Sequence, residues 1–316
     1  MSSKKNLLVC ASGGRTSMYM LEWLIENKSN DYNIAGVFAN TSWEHYETLA
    51  FVDKCTERWK EKYNFSLVWV EADIKEMGVG TKHKKVNYTT CKKDMEIFQQ
   101  LASKYGLPNA GLPFCTRELK ENPIHHYVKD VLGWSNNKGS SQPYQTALGI
   151  RIDEPKRLKR TDAHKQNKVY PLVDWHREQP DKLDIIDWWE EQEFDLGIPE
   201  HLGNCVGCYK KSKKKLLKAL RDAPYQFIND LEKRYGYIGN NRINGELTTE
   251  PRTMYRNYET CDDLIKTLDI TPPSYLNGVE YEGDNEGCAS SCEPFAVENY
   301  PQKQLNFEWK QGELNV

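Results

Sequence analysis

LLVCASGGRTSMYMLEWL, residues 7–24, carries an apolar run into Ser-Gly-Gly and out again into apolar residues at helical spacing. Residues 7–11 have the length and composition of a buried strand, while Met20, Leu21, Leu24 and Ile25 fall on one helical face. At such a junction Gly13 and Gly14 let the backbone approach an anion, and the amides and dipole of the helix start favour negative charge. Ser12, Thr16 and Ser17 add hydroxyl donors, and Arg15 adds a permanent guanidinium able to bind two oxygens at once. The stretch lacks both the Gly-Lys-Ser/Thr ending of a Walker loop and a G-x-G-x-x-G fingerprint. It reads either as a plain tight turn or as a loop for nucleotide phosphates, and its place after the first strand favours the second.

The alternation continues outward. IAGVFAN (34–40) and SLVWVEA (66–72) read as strands, with Leu49, Val52, Cys55, Trp59 and Tyr63 on one face of the helix between them. A β-α-β-α-β order predicts an α/β fold, a Rossmann-like parallel sheet flanked by helices, with ligands beyond the carboxyl ends of its strands. Residues 76–145 are more polar, with a helix over 94–105, and 144–157 returns to a strand ending in a charged loop. Helices bearing Leu183, Ile186 and Trp189, then Leu216, Leu217 and Leu220, then 225–235, make a mainly helical, cysteine-containing C-terminal part. The expected division is a nucleotide-binding unit over 1–175, a helical extension over 176–270 packing on it, and an acidic, loosely structured tail over 271–316.

The 316 residues are 38% hydrophobic, enough for a sizeable core, and contain no run of membrane-spanning length. The start MSSKKNLLVC lacks the apolar core of a secretory signal, so a cytoplasmic protein is expected. The net charge of −3 hides an asymmetry: eight carboxylates against two lysines in 277–316 leave the remainder at +3. Basic runs at 156–168 and 210–221 suit an anionic ligand or nucleic acid, or else form solvated helix faces.

Nine cysteines in a reducing compartment point to metal, cluster or catalytic roles rather than disulfides. Cys10 and Cys55 sit among apolar neighbours as small core residues, and Cys91 and Cys261 have no assigned role. Cys205-Val-Gly-Cys208 has the spacing of a metal knuckle beside five lysines, and Cys115 lies at a helix start, which favours thiolate. Cys288 or Cys292 completes a set of four; the other reading is a group of unligated thiols. Zn²⁺ and an iron–sulfur cluster both accept such a set. The histidines make no metal pattern: His125 and His126 are adjacent, and His164 and His201 are isolated.

SGGRTSMYM, VFANTSWEHYETLAFV, FCTRELKENP, GIRIDEPKR, YPLVDW and GNCVGCYKK together resemble the phosphoadenosine phosphosulfate (PAPS) reductase-like group of the adenine nucleotide α-hydrolase superfamily, the N-type ATP pyrophosphatases. The resemblance implies phosphates on the Ser-Gly-Gly loop, adenine and ribose near Asn40 and Thr41, and Gly149, Arg151, Asp153, Glu154 and Arg157 at the nucleotide. In that loop Arg151 and Arg157 can neutralise a developing pyrophosphate and Asp153 or Glu154 can hold Mg²⁺; the alternative is a surface salt-bridge network. The resemblance also favours a [4Fe–4S] cluster over Zn²⁺. Two departures stand out: many ATP-cleaving relatives read Ser-Gly-Gly-Lys-Asp-Ser where this chain has Arg15 and Thr16, and the Glu-Cys-Gly-Leu-His tail of sulfonucleotide reductases is replaced by GCASSCEPF.

The expected activity is ATP cleavage between the α- and β-phosphates with Mg²⁺, adenylyl transfer, and displacement of AMP by sulfur. Arg15, Arg151 and Arg157 stabilise phosphate charge, Cys115, Cys205, Cys208 and a tail cysteine hold the cluster, and RNA or DNA is the suggested acceptor. A sulfur-donor protein and a homo-oligomer fit the same scheme. The alternatives are reduction of PAPS or adenylyl sulfate to sulfite, with a cysteine such as Cys292 as nucleophile, and a zinc-stapled nucleotide- or nucleic-acid-binding module without chemistry.

Overall fold

The computed structural model describes residues 4–76, 79–158, 167–239, 242–243 and 246–277. In chain order its elements are β1 (Lys5–Ala11), α1 (Arg15–Lys28), β2 (Tyr32–Asn40), α2 (Tyr46–Tyr63), β3 (Val68–Asp73), β4 (Lys82–Val86), α3 (Glu96–Tyr105) and α4 (Phe114–Thr116). A π-helical turn over Arg117–Glu121 leads into α5 (Asn122–Asp130), then β5 (Tyr144–Ala147), α6 (Pro155–Leu158), β6 (Lys168–Val169), α7 (Pro171–Asp174) and α8 (Lys182–Glu190). The C-terminal part holds α9 (Lys213–Asp222), α10 (Leu231–Tyr235), the small hairpin β7 (Arg242–Ile243) and β8 (Glu246–Leu247), α11 (Cys261–Ile270) and α12 (Pro273–Asn277).

The main sheet has six strands in the order β4-β3-β2-β1-β5-β6. All neighbours are parallel except β4, which runs antiparallel to β3 at the edge. The continuous apolar run of β1 follows from burial on both sides: Leu7, Val9 and Ala11 face one core cluster, Leu8 and Cys10 the other. Ile124, Tyr127 and Val128 of α5 cover the second face, while α1 and α2 lie in the first cluster, which continues into Leu216, Ala219, Met254 and Leu264. The C-terminal helices α9 and α11 thus share one core with β1, α1 and α2. The chain moves from β1 to β2 and β3 on one side, then returns to β5 on the other, so the sheet reverses direction at β1 and β5. The crevice of such a sheet opens beyond the carboxyl ends of those two strands.

The α/β class stands as expected, with local differences. The polar edge strand Lys-His-Lys-Lys-Val of β4 carries no apolar alternation, and its three lysines blunt an otherwise exposed edge. On α8 the buried pair is Ile185 and Trp189, four residues apart, while Leu183 is 66% exposed. The helix expected over 225–235 divides, because Phe227 is extended (φ −124°) and Asp230 left-handed (φ 57°), leaving a short 3₁₀ turn and α10. Among the described residues no helix is long and apolar enough to cross a membrane.

Candidate functional site

Beyond β1 the backbone turns sharply into α1. Gly13 takes φ +80°, and a Cβ there would lie 3.0 Å from Thr48 and 3.1 Å from Val52, so a side chain is refused both by conformation and by space. Gly14 occupies the N-cap position of α1 with no side-chain cap, leaving the first helical amides directed beyond the strand. The Ser17 hydroxyl accepts from the Ser12 amide at 3.0 Å, lies 2.9 Å from the Ser12 hydroxyl and donates to the Gly14 carbonyl, which fixes the loop's shape.

Across the reversal, the Ile150 amide donates to the Leu148 carbonyl, folding the chain at Gly149 just after β5. This brings Arg151 onto the first loop, where its Nη1 donates to the Thr16 hydroxyl at 3.1 Å. Arg151 also holds Asp153 through two bonds of 2.8 and 3.0 Å, and Arg157 pairs with Glu154. Burial acts against the Arg151 charge, but the Asp153 hydrogen bond and the two carboxylates outweigh it and hold the guanidinium firmly protonated. Arg15 leans outward and forms a bidentate pair with Asp195 (Nε–Oδ1 2.6 Å), while Trp189 of α8 donates to the Arg15 carbonyl at 3.0 Å. Burial raises the Asp195 carboxyl, yet its bonds from Arg15 bring it below the usual range.

The end of β2 faces a different neighbour. The Asn40 amide nitrogen donates to Glu71 and to the Lys92 carbonyl, both at 2.7 Å, and its oxygen accepts from Ser42, so the side chain is fully enclosed. Burial raises the Glu71 carboxyl despite the donors that surround it. Thr41 donates to Glu44 at 2.8 Å, and its hydroxyl lies 3.3 Å from the Cys205 sulfur.

Cys205 and Cys208 meet Cys115 around one cavity, whose wall includes Thr41, Lys120, Tyr209 and Lys210. Its apolar lining comes from Trp43, Phe98, Leu119 and Met254, and its volume of about 30 Å³ is that of one or two waters. The glycine inside the knuckle has a local cause: a Cβ at Gly207 would overlap the Trp43 ring, whose Nε1 is anchored to the Gln226 carbonyl at 2.8 Å. The three sulfurs are not drawn within 4.8 Å of one another. A single tetrahedral Zn²⁺ with bonds near 2.3 Å would set them roughly 3.8 Å apart. Cys288 and Cys292 lie outside the described residues. Cys10, Cys55, Cys91 and Cys261 are buried elsewhere; burial pushes the Cys91 thiol up to about 11 and Cys261 up to about 12, the condition of inert core thiols.

Residues 6–109 match the phosphoadenosine phosphosulfate reductase domain. The uncharacterized nin region protein ORF290 of Escherichia phage lambda is 33% identical over 308 residues, spanning 96% of this chain and 97% of that protein. The chain belongs to the PAPS reductase family. It is therefore a nucleotide-binding protein of the adenine nucleotide α-hydrolase-like superfamily, with the fold of an enzyme of that group.

Within this PAPS reductase-family chain, the Arg151–Thr16 bond joins the Ser12–Ser17 turn to the Gly149–Arg157 loop, where Arg151 and Arg157 hold Asp153 and Glu154, and Arg15 is tied to Asp195. Asn40 and Thr41 stand at the next strand end, toward the cysteines. Sequence reasoning missed Asp195, Glu44, Lys120 and Tyr209, which approach only through the fold. The basic run 210–221 is no simple solvated face: Lys210, Lys211 and Lys215 are about 4% exposed, and Lys211 donates to the carbonyls of His201 and Val206. Of the run 156–168, residues 159–166 lie outside the described residues. The histidines also meet in a way the sequence hides, because packing of α5 against β4 brings His83 onto His126, a meeting their sequence separation of 43 conceals.

Proposed function

We propose that the chain binds ATP, or a closely related adenosine nucleotide, in the crevice between the Ser12–Ser17 turn and the Gly149–Arg157 loop, and cleaves it between the α- and β-phosphates. The observation that carries this reading is the 3.1 Å bond from Arg151 to Thr16, which closes two basic, donor-rich loops around the point where the sheet reverses. Amides of the α1 start cradle phosphate oxygens, and Arg151 and Arg157 stabilise charge as pyrophosphate departs. Asp153 and Glu154 each already neutralise an arginine, so they supply at most one or two ligands to Mg²⁺, which keeps phosphate oxygens and waters for the rest.

The cysteine cavity gives this chemistry its direction. Three soft donors beside buried Lys120 and Lys210 suit a polynuclear iron–sulfur group held by Cys115, Cys205 and Cys208, with a tail cysteine as fourth ligand and zinc as the competing occupant. Seating a group of that size requires the narrow cavity to open. Such a group would supply electrons or sulfur, and the protein's part is to place it one strand away from the activated nucleotide. Adenylyl transfer coupled to sulfur transfer is the resulting activity, with an oxygen-bearing acceptor such as RNA or DNA and a protein as sulfur donor.

Anaerobic purification followed by iron, sulfide and zinc analysis, with a pyrophosphate assay in ATP and Mg²⁺, tests the reading. Iron with sulfide and released pyrophosphate are expected. Sulfite released from PAPS without ATP consumption would establish the reductase reaction instead, and a zinc protein returning its nucleotide intact would establish a binding module.

A further inference from the structure

Far from the cysteines in sequence, the edge strand β4 and the helix α5 place three ligating side chains together. His83, opposite Ala72 on β3, meets His126 with their Nδ1 atoms 2.6 Å apart. His126 and Asp130 stand four residues apart on one face of α5, and the ligating atoms of all three residues fall within 4.8 Å of one another. Among the described residues no other trio does so. The rings are held in place: Tyr127 lies edge-on to His83 at 5.5 Å, and the two imidazoles are tilted by 52°. Neither ring is on the sheet's ligand-binding crevice.

We propose that His83, His126 and Asp130 bind one divalent transition-metal ion of the zinc class, clamping the edge strand β4 to α5. Two imidazole nitrogens with one carboxylate is a donor set such ions prefer, while the harder Mg²⁺ and Ca²⁺ take mainly oxygen. Nitrogen ligands of one tetrahedral Zn²⁺ stand roughly 3.3 Å apart, so the rings need separate by only about 0.7 Å. At 2.6 Å one ring donates to the other, sharing a single proton; the cation takes that proton's place. The ion would face the carboxylates of Asp130 and Asp73 as well as the Lys85 ammonium. A water completes the coordination, since the trio supplies three ligands.

Co²⁺ added to metal-stripped, full-length protein under anaerobic conditions tests this, with the wild type compared with His83→Asn and His126→Gln. The wild type is expected to bind one equivalent more than either variant, and the difference spectrum to show d–d bands without thiolate charge-transfer absorption. That spectral form separates this site from any metal on the cysteines. The change Asp130→Asn, at an exposed position, should weaken Co²⁺ binding at this site by about tenfold or more, since even outer-shell changes at metal sites cost that much. Equal uptake by the wild type and both histidine variants, or a difference spectrum dominated by thiolate absorption, overturns the proposal.

Discussion

Arg151 is the side chain on which the two loops of the crevice depend. Its guanidinium spans Thr16 of the first loop and Asp153 of the second, so it both orders the site and offers charge to it. Arg151→Ala is expected to weaken ATP binding by roughly 10- to 100-fold, the range of a lost charge-assisted contact, as measured by calorimetric titration. Arg151→Lys should fail to restore it, because an ammonium cannot reproduce the planar fork. Gly13→Ala forces a side chain into φ +80° against Thr48, and a loss of about 1–3 kcal/mol in urea unfolding is expected. The turn itself is legible from sequence, since two glycines directly after an apolar strand and before a helical face mark a tight strand-to-helix junction. The Arg15–Asp195 pair is not legible: 180 positions separate its members, and only the packing of Trp189 against the turn brings them together.

At the scale of elements, the knuckle is held by its neighbours. Lys215 at the start of α9 and Lys182 on α8 both pair with Glu200, just before the cysteines. Burial pushes the Glu200 carboxyl up, but the two lysines outweigh it and bring it down to about 2, against an ordinary 4.5. A depressed folded-state value means this contribution is present above about pH 4.5 and is lost as pH falls toward 2. The stability gap between wild type and Glu200→Gln should accordingly be largest near neutrality and close on acidification, read from urea midpoints across that range. Because the carboxylate is half exposed, solvent screens the pairs and the gap will be small. Gly207→Ala drives a methyl into the Trp43 ring, and lower metal content together with a lower melting temperature is expected. β1, β2 and β3 announced themselves as buried apolar runs, whereas the short parallel strand β6, Lys168–Val169, gave no such signal. Nor did the edge strand β4, because pairing on one side only lets Lys-His-Lys-Lys-Val stay polar. On α8, three apolar residues at 183, 186 and 189 suggested a face, but the helix buries Ile185 with Trp189 and leaves Leu183 exposed.

For the whole molecule, the arrangement is a sheet whose adjoining strand ends carry two different sets of groups, the arginine-bridged loops after β1 and β5 and a thiol-lined cavity beside the end of β2. Cys115 enters from the turn before α5, and Cys205 and Cys208 from the extension, so the cavity exists only when both parts dock through the shared core. Cys205→Ser should therefore remove most of the bound iron, or zinc, while leaving ATP affinity within about twofold, as read by metal analysis and calorimetry. The knuckle spacing marked the pair Cys205 and Cys208 in the sequence, whereas the run beside it read equally as a solvated face or an anion-facing one, and only the fold shows Lys210, Lys211 and Lys215 turned inward. The central claim remains that the crevice between the two loops grips an adenosine polyphosphate, and a crystal structure of the protein soaked in ATP tests it most directly. Triphosphate density against the amides of residues 13–17, with Arg151 in contact, is expected. Nucleotide bound at another surface, or the two loops still joined by the Arg151–Thr16 bond with no nucleotide between them at saturating ATP, would contradict it.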